Sequence, residues 1–352
     1  MDTLTHALAG ALIARATAPR EPRPGGLPLG RRVLVGAAAA AFPDLDFVTS
    51  YMTPLSYLYH HRGVTHSVLL LPVWAALIAL IFAAVWRFKP GWRAYYGIAA
   101  IGIASHIAAD LITSFGTMIF APFSDSRYAL SATFIIDLWF TGIILAGLAA
   151  ALVWRRSRVP AVAALALLAG YVGFQWLMQQ QAIDFGRDYA NREGLRSARV
   201  TAMPRPVSPL NWTVIVEEGG RYRYAHVNLV RKTVPPAPDE HTGFVARLDA
   251  PYRPLRDAQW LQAGLYGRSD KETALARDAF SQPAFRFFRW FAAYPALTSV
   301  ESGNPAQCAW FEDLRFITPG RDGTPFEYGM CREGEGPWQP FQRLGAERRA
   351  VY

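Results

Sequence analysis

The sequence has little cysteine and lacks several common catalytic motifs. Its two cysteines, Cys308 and Cys331, lie near the C-terminal end, and no thiolate zinc motif is present. It also has no glycine-rich phosphate-binding loop, no G-x-S-x-G nucleophile elbow and no internal repeat. These absences exclude several large enzyme classes, and any catalytic chemistry must come from other residues.

The mean hydropathy is too low for a chain that lies in a membrane along its whole length. It is +0.10, although 52% of the residues are hydrophobic. The apolar runs end near Met178, and the remainder is rich in arginine, proline, glycine and aromatic residues. We therefore predict two domains: a membrane-embedded helical domain at residues 1–179 and an extracytoplasmic α+β domain at residues 180–352.

Apolar runs of about 20 residues are long enough to cross a hydrocarbon core of about 30 Å. Four runs meet this length, at residues 68–86, 94–112, 134–154 and 160–178. Two earlier runs, at residues 4–16 and 33–48, are short for a full span and could be tilted or re-entrant. The predicted fold class is an α-helical membrane bundle of about four to six membrane-associated helices, followed by a β-rich α+β soluble domain.

The basic loops predict the orientation of these helices. Arginine and lysine are concentrated in residues 15–32, which hold five arginines, and in residues 87–93 and 155–158. If six helices alternate, all three loops face the cytoplasm. The C-terminal domain then lies on the periplasmic side of a bacterial inner membrane, as part of a multi-pass protein. No basic residue precedes the first apolar run, so we expect the N-terminal segment to be retained.

Polar islands interrupt the apolar part of the sequence. An ionisable side chain at the centre of a bilayer costs roughly 2.5–3.5 kcal/mol on insertion scales, so these groups should share a site inside the bundle. Histidine and aspartate together form the ligand set of a metal site. The candidate metal ligands are His6, Asp44, Asp46, His61, His66, His106 and Asp110.

The spacing of some of these residues places their side chains on the same side of the chain. His106 and Asp110 are four residues apart and face the same side of a helix, although a hydrogen bond between them would satisfy both. Asp44 and Asp46 follow Pro43, where we expect extended chain with both carboxylates on one side. A helix cap is the alternative for either aspartate alone.

The segment from His60 to Ser67 lies directly before an apolar run. Gly63 permits a tight bend that would turn His61 and His66 toward one point. Arg62 could bind an anionic oxygen of a substrate. An interfacial loop that contacts lipid headgroups is the alternative reading of this segment.

The candidate ligands outnumber those of one four-coordinate zinc, which predicts a two-metal site. Zinc fits mixed imidazole and carboxylate ligands, and manganese or iron are alternatives. Such a centre would activate water and stabilise negative charge on a carbonyl or phosphoryl oxygen, so we predict hydrolysis. Asp110 or Asp137 is the candidate proton acceptor, and Arg62 the third candidate catalytic residue.

Four motifs together resemble the YdjM-like family of inner-membrane proteins assigned as metal-dependent hydrolases. They are Thr5-His6, Pro43-Asp44-Leu45-Asp46, the segment His61 to Ser67, and His106-x-x-x-Asp110-x-x-Thr113-x-x-Gly116 followed by Pro122. The resemblance covers roughly residues 1–180 and implies an integral inner-membrane protein with metal-dependent hydrolase activity. Asp137 matches a further aspartate of the family, but Leu138 stands where a proline is expected.

The C-terminal region shows alternation and turn signals. Residues 213–216 and 221–229, joined by a Glu-Glu-Gly-Gly segment, predict a β-hairpin, and residues 308–317 and 326–331 predict further strands. Residues 278–294 predict a helix with a core stripe of Phe285, Phe288 and Phe291. An external location favours a Cys308–Cys331 disulfide, with two free buried cysteines as the alternative. The domain could cover the membrane site or admit substrate to it.

The sequence is compatible with three functions. The leading hypothesis is an outward-facing metallohydrolase acting on a phosphoester or a lipid-linked envelope substrate. The alternatives are a protein that transports or senses divalent metal ions, and a non-enzymatic membrane scaffold. The formal charge of +9 is largely explained by the basic loops, so the expected partners are phospholipid membrane and a lipid-linked or phosphorylated small substrate, and no nucleic acid.

Overall fold

The computed structural model describes residues 1–19, 25–267, 270–303, 306–321 and 323–352. Packing of the chain defines one unit of residues 1–52 and 59–177, and another of residues 53–58 and 178–352. Arg20 and Arg23, two of the five arginines of the first basic loop, lie outside the described residues.

The first unit is helical; of the helical residues given next, 54–58 and 178–192 belong to the second unit. The helices, in chain order, are α1 (Thr3–Ala16), α2 (Leu29–Ala41), α3 (Pro54–His60), α4 (Leu71–Val85), α5 (Arg93–Leu111), α6 (Leu138–Val153) and α7 (Val159–Arg192). Asp2 caps the start of α1 by accepting a hydrogen bond from the Thr5 amide.

Three helical segments of the described chain are long and apolar enough to cross a membrane: Leu29–Tyr51, Arg93–Leu111 and Val159–Arg192. A fourth candidate is a broken span, Leu55–His66 with Leu71–Val85, which bends by 81°. The predicted runs at residues 68–86 and 134–154 are shortened to α4 and α6, of 15 and 16 residues. The helical bundle followed by a β-rich domain confirms the predicted fold class.

The segment after α2 differs from the prediction. Residues 33–48 were expected to form a short helix that ends in extended chain at Asp44. A 3₁₀-helix, Phe42–Tyr51, instead continues α2 and makes a 23-residue apolar segment. Pro43 lies at the start of this helix, where a missing amide hydrogen costs nothing. Asp44 and Asp46 are still both buried.

Three glycines allow α1, α2 and α5 to pack closely. A Cβ added at Gly10 would lie 2.2 Å from the Gly36 carbonyl oxygen. A Cβ added at Gly102 would lie 3.0 Å from the same oxygen. Small residues of this kind let helices in a membrane approach each other at van der Waals distance. The contact brings together the helices that carry His6, His106 and the segment leading to Asp44.

The second unit contains two five-stranded sheets. The first has the order β1-β2-β3-β4 with β5 also paired to β3, and the second is antiparallel with the order β10-β9-β8-β7-β6. The strands are β1 (Arg199–Pro204), β2 (Asn211–Glu218), β3 (Arg221–Asn228), β4 (Arg253–Pro254), β5 (Leu261–Gly264), β6 (Pro295–Ser302), β7 (Ala306–Asp313), β8 (Tyr328–Glu333), β9 (Gln339–Leu344) and β10 (Glu347–Ala350).

The predicted hairpin is present as β2 and β3. Gly219 and Gly220 connect the two strands with φ angles of 59° and 74°, a left-handed conformation that glycine adopts without strain. The predicted strands near Cys308 and Cys331 correspond to β7 and β8, in which these cysteines are direct partners and are joined by a disulfide.

The helix predicted at residues 278–294 is broken. The chain forms α8 (Phe244–Asp249), α9 (Asp270–Ser281), a 3₁₀ turn at Pro283–Phe285, and α10 (Arg286–Phe291). Pro283 disfavours helical geometry at Gln282, whose ψ angle is 138°. Phe285, Phe288 and Phe291 are nevertheless buried, as the core stripe predicted.

Candidate metal centre

Four of the predicted ligands meet inside the first unit. His6, Asp44, His106 and Asp110 each offer one ligand atom, and these four atoms all lie within 4.8 Å of one another. All four side chains are buried. It is the one group among the described residues in which three or more such ligands converge. The other three predicted ligands, Asp46, His61 and His66, lie around this four-ligand group rather than within it.

The ring orientation of His106 is set by the backbone. Its Nδ1 lies 2.6 Å from the Ala40 carbonyl oxygen, which can only accept a hydrogen. The proton of a neutral His106 is therefore on Nδ1, and the lone pair of Nε2 points into the group. His6 stacks on the His106 ring with their centroids 3.7 Å apart.

His66 faces the same point from the opposite side. Its Nδ1 lies 3.0 Å from the Thr65 hydroxyl oxygen, and Thr65 gives its own proton to Asp46 Oδ2 at 3.0 Å. Nδ1 of His66 therefore donates, which leaves the lone pair of its Nε2 directed at Nε2 of His106, 2.9 Å away. Two lone pairs at this distance repel each other unless a proton or a metal ion lies between or beside them.

The carboxylates complete the group. Oδ1 of Asp44 lies 3.5 Å from Nε2 of His106, and Oδ2 accepts a hydrogen bond from the Thr3 hydroxyl at 2.7 Å. Oδ2 of Asp110 is buried and has Nε2 of His66 at 3.2 Å and Nε2 of His106 at 3.4 Å, but neither contact has hydrogen-bond geometry. Nδ1 of His6 is buried without a hydrogen-bond partner among the described residues. Buried polar atoms normally have partners. The donor set and these orphaned atoms fit a divalent cation with mixed imidazole and carboxylate ligands.

Asp46 and His61 lie beside the group and orient it. Oδ1 of Asp46 is 2.7 Å from His61 Nδ1, and Oδ2 accepts from the Arg62 amide at 3.0 Å and from Thr65. Both oxygens of Asp46 are therefore engaged in hydrogen bonds. These bonds hold the segment that carries His66.

Arg62 is buried rather than available to solvent. Its Nη2 lies 2.9 Å from Asp110 Oδ1, and its Nη1 donates to the Thr113 hydroxyl at 2.9 Å. A bend was predicted at Gly63, but the residue in the left-handed conformation is Arg62, with a φ of 62°. Gly63 is needed for close packing instead, because a Cβ there would lie 2.8 Å from the His60 carbonyl oxygen. Arg62 thus holds Asp110 in place, together with the Met1 amino group, which also contacts Oδ1.

Asp137 is not brought into the group. It is the N-cap of α6, and Oδ1 accepts from the Trp139 and Phe140 amides. Its carboxylate also accepts from the Tyr171 hydroxyl and from Gln175 Nε2. Four donors satisfy this carboxylate, so its placement is that of a helix cap tied to α7 rather than that of a proton acceptor at the metal centre.

Several supporting residues were not predicted as site residues. Thr3 and Thr65 orient ligands through their hydroxyls, and Thr113 connects Arg62 to the Asp110 backbone carbonyl at 2.8 Å. Thr65 and Thr113 fall within the quoted motifs, which is the signal that could have identified them. Gly116 has a φ of 90°, which explains a glycine at this position of the motif.

Comparisons with known proteins concern mainly this helical part. The sequence profile of the family described as YdjM inner membrane protein matches residues 1–182. The chain is similar to the uncharacterized protein YfhP of Bacillus subtilis (strain 168), with 27% identity over 186 residues, which cover 51% of this chain and 55% of that protein. The chain thus spans about half the length of this curated relative. No solved structure matches the chain.

Proposed function

This chain belongs to the YdjM inner membrane protein family, and from that premise we propose that it is a membrane-embedded, metal-dependent hydrolase. The proposed ligands of a single divalent ion are His6, Asp44, His106 and Asp110. The observation that carries the proposal is the convergence of these four buried ligand atoms within 4.8 Å. Zinc fits this ligand set, and manganese or iron are alternatives.

A bound ion would supply Lewis-acid chemistry: it would polarise a phosphoryl or carbonyl oxygen and lower the pKa of a bound water to near neutrality. The protein's own groups prepare the site for it. The Ala40 carbonyl keeps the Nε2 lone pair of His106 directed inward, and Arg62 neutralises part of the charge on Asp110. These contacts fix ligand geometry before any substrate arrives.

His66 is the proposed residue that holds and moves a proton. Its Nε2 lies 3.2 Å from Asp110 Oδ2 and 3.8 Å from Asp44 Oδ1, so it reaches the centre directly. Its Nδ1 is oriented by Thr65, which keeps the ring in one position. A histidine in this arrangement can accept a proton from water and deliver it to a leaving group.

The surroundings of the centre support a substrate with an apolar part. Leu45, Phe47 and Val48 are 45–54% exposed and lie in the same 3₁₀-helix as Asp44. These side chains offer an apolar surface beside a polar centre, which suits a lipid or a lipid-linked phosphoester. A phosphoester is proposed over an amide, because a divalent ion stabilises the charge that develops on phosphoryl oxygens.

We propose that the centre faces the outside of the inner membrane. His6 and Arg15 are nine residues apart on α1, which places the basic end about 14 Å along the helix from the centre. If the basic loops are cytoplasmic, the centre lies toward the opposite surface. The Cys308–Cys331 disulfide supports an oxidising compartment for the C-terminal region.

Metal transport is the competing function. The four ligands meet at one point rather than along a path through the bundle, which favours hydrolysis over transport. Uptake of zinc or manganese into proteoliposomes would support transport, and its absence alongside hydrolysis would support the enzyme.

The experiment is a hydrolysis screen with the full chain in proteoliposomes. Phosphate or headgroup release from polyprenyl diphosphates and phospholipids is measured after chelation and after restoring zinc or manganese. We expect metal-restored activity in the wild type and its loss in His106→Ala. His60→Ala is the matched control, because His60 is exposed and lies outside the ligand group. Activity that survives both chelation and His106→Ala would refute the proposal.

A further inference from the structure

A cavity lies at the other end of α1 from the candidate metal centre. It has a volume of about 640 Å³ and is formed by the C-terminal end of α1, the start of α2 and the connection between α6 and α7. Its walls include five arginines: Arg15, Arg32, Arg155, Arg156 and Arg158. Nothing in the proposed hydrolysis uses this cavity.

The positive charge of the cavity has no compensating carboxylate among the described residues. No carboxylate of a described residue lies within 4 Å of the guanidinium group of any of these five arginines. In the same unit, Arg62 forms an ion pair with Asp110, whereas these five arginines form none with a described residue. Clustered positive charges repel one another unless an anion binds between them.

Two of the arginines are built into the cavity wall. Arg15 is buried, and its Nη2 donates to the carbonyl oxygens of Arg155 and Ser157, each at 2.7 Å. These bonds attach the end of α1 to the connection between α6 and α7. Arg32 donates from Nη2 to the Thr17 carbonyl oxygen at 3.2 Å, while its Nε is buried with no hydrogen-bond partner in the described part of the chain. The wall is therefore held together by the fold and retains an unused donor.

Apolar residues share the cavity with the arginines. Leu27, Leu29 and Val159 are part of the lining, together with two prolines. A ligand that fits both features carries a phosphate for the guanidinium groups and an apolar portion beside it. Basic pockets between helices on the cytoplasmic side of a membrane bind anionic headgroups in this way.

We propose that this arginine cavity is a binding site for the phosphate headgroup of an anionic phospholipid. The site is independent of the metal centre and of hydrolysis. A soluble phosphate compound shares the recognised chemistry, and the test separates the two sources.

The test uses the full chain purified in detergent and native mass spectrometry. Phosphatidylglycerol is titrated against phosphatidylcholine, and then against millimolar inorganic phosphate. The variant Arg156→Gln with Arg158→Gln removes two exposed cavity charges that make no side-chain hydrogen bond within the described chain. The matched control, Lys89→Gln with Arg93→Gln, removes two exposed charges, one from the loop between α4 and α5 and one at the start of α5.

The expected result is selective retention of phosphatidylglycerol by the wild type, weakened roughly tenfold by the cavity variant and by less than twofold in the control. Equal weakening in both variants would mean general surface charge and would overturn the site. Equal retention of phosphatidylcholine would also overturn it. Displacement of the lipid by millimolar inorganic phosphate would refute the lipid assignment in favour of a soluble phosphate.

Discussion

Gly10 lies where α1 crosses α2, and replacing it with alanine should move His6 away from the other ligands. The new Cβ would lie 2.2 Å from the Gly36 carbonyl oxygen and 2.5 Å from Ala40 Cβ. Nonbonded carbon atoms pack at about 3.5–4.0 Å, so the two helices must separate by about 1 Å at this point. His6 is one helical turn from Gly10, and metal–ligand distances tolerate only about 0.2 Å.

We expect Gly10→Ala to weaken zinc binding at least about tenfold, the range seen when residues that orient ligands are changed. Overpacking should also lower the free energy of unfolding by about 1–3 kcal/mol. Competition with a chelator measures the first effect, and thermal unfolding in detergent measures the second. Gly97→Ala on α5 is the control, because a Cβ there meets nothing within 4 Å. Wild-type affinity and stability in Gly10→Ala would refute the packing argument.

Three further predictions concern other parts of the chain. Asp137→Ala should lower the free energy of unfolding by about 1–3 kcal/mol through lost capping and unsatisfied partners, with metal content unchanged; loss of metal would place Asp137 in the centre. Burial, and to a smaller extent Arg205, lower the pKa of His226 to about 3. Between this value and the ordinary pKa of about 6.5, histidine is protonated in the unfolded chain but neutral in the folded chain. The free energy of unfolding should therefore fall as pH drops below about 6.5, by up to about 1.4 kcal/mol per pH unit; denaturant titrations from pH 7 to 5 should show this dependence, and His226→Gln should flatten it. Cys308→Ser with Cys331→Ser should cost about 3 kcal/mol for a separation of 23 residues, and an unchanged denaturation midpoint would contradict this.

The sequence indicated that histidines and aspartates would share a site, because ionisable groups among apolar helices are costly unless they face a partner. His106 and Asp110 share a helix face by spacing alone, and both are in the group. The packing that joins them to His6 depends on Gly10 and Gly36, and glycine in a helix carries no signal of its contact partner. The residues next to Gly10 and Gly36 do not indicate which helices pack together, so this contact could not be predicted from one sequence.

Two differences between prediction and structure have local causes. An aspartate before a helix is equally suited to cap it or to bind a metal, and only the donors around Asp137 show that it caps α6. Pro43 was read as the end of a helix, but proline is also compatible with the first turn of a new one, and the chain continues as a 3₁₀-helix. At Pro283, by contrast, the predicted helix is interrupted, because the preceding residue Gln282 leaves the helical conformation.

The most direct test of the metal centre is elemental analysis of the full chain, purified in detergent and reconstituted with zinc or manganese. Wild type, His106→Ala and the control His60→Ala are compared after each is shown to be folded. The proposed centre predicts about one equivalent of metal in the wild type and the control, and its loss in His106→Ala. No metal in any of the three proteins would contradict it and would mean that the buried histidines and aspartates form a hydrogen-bonded core.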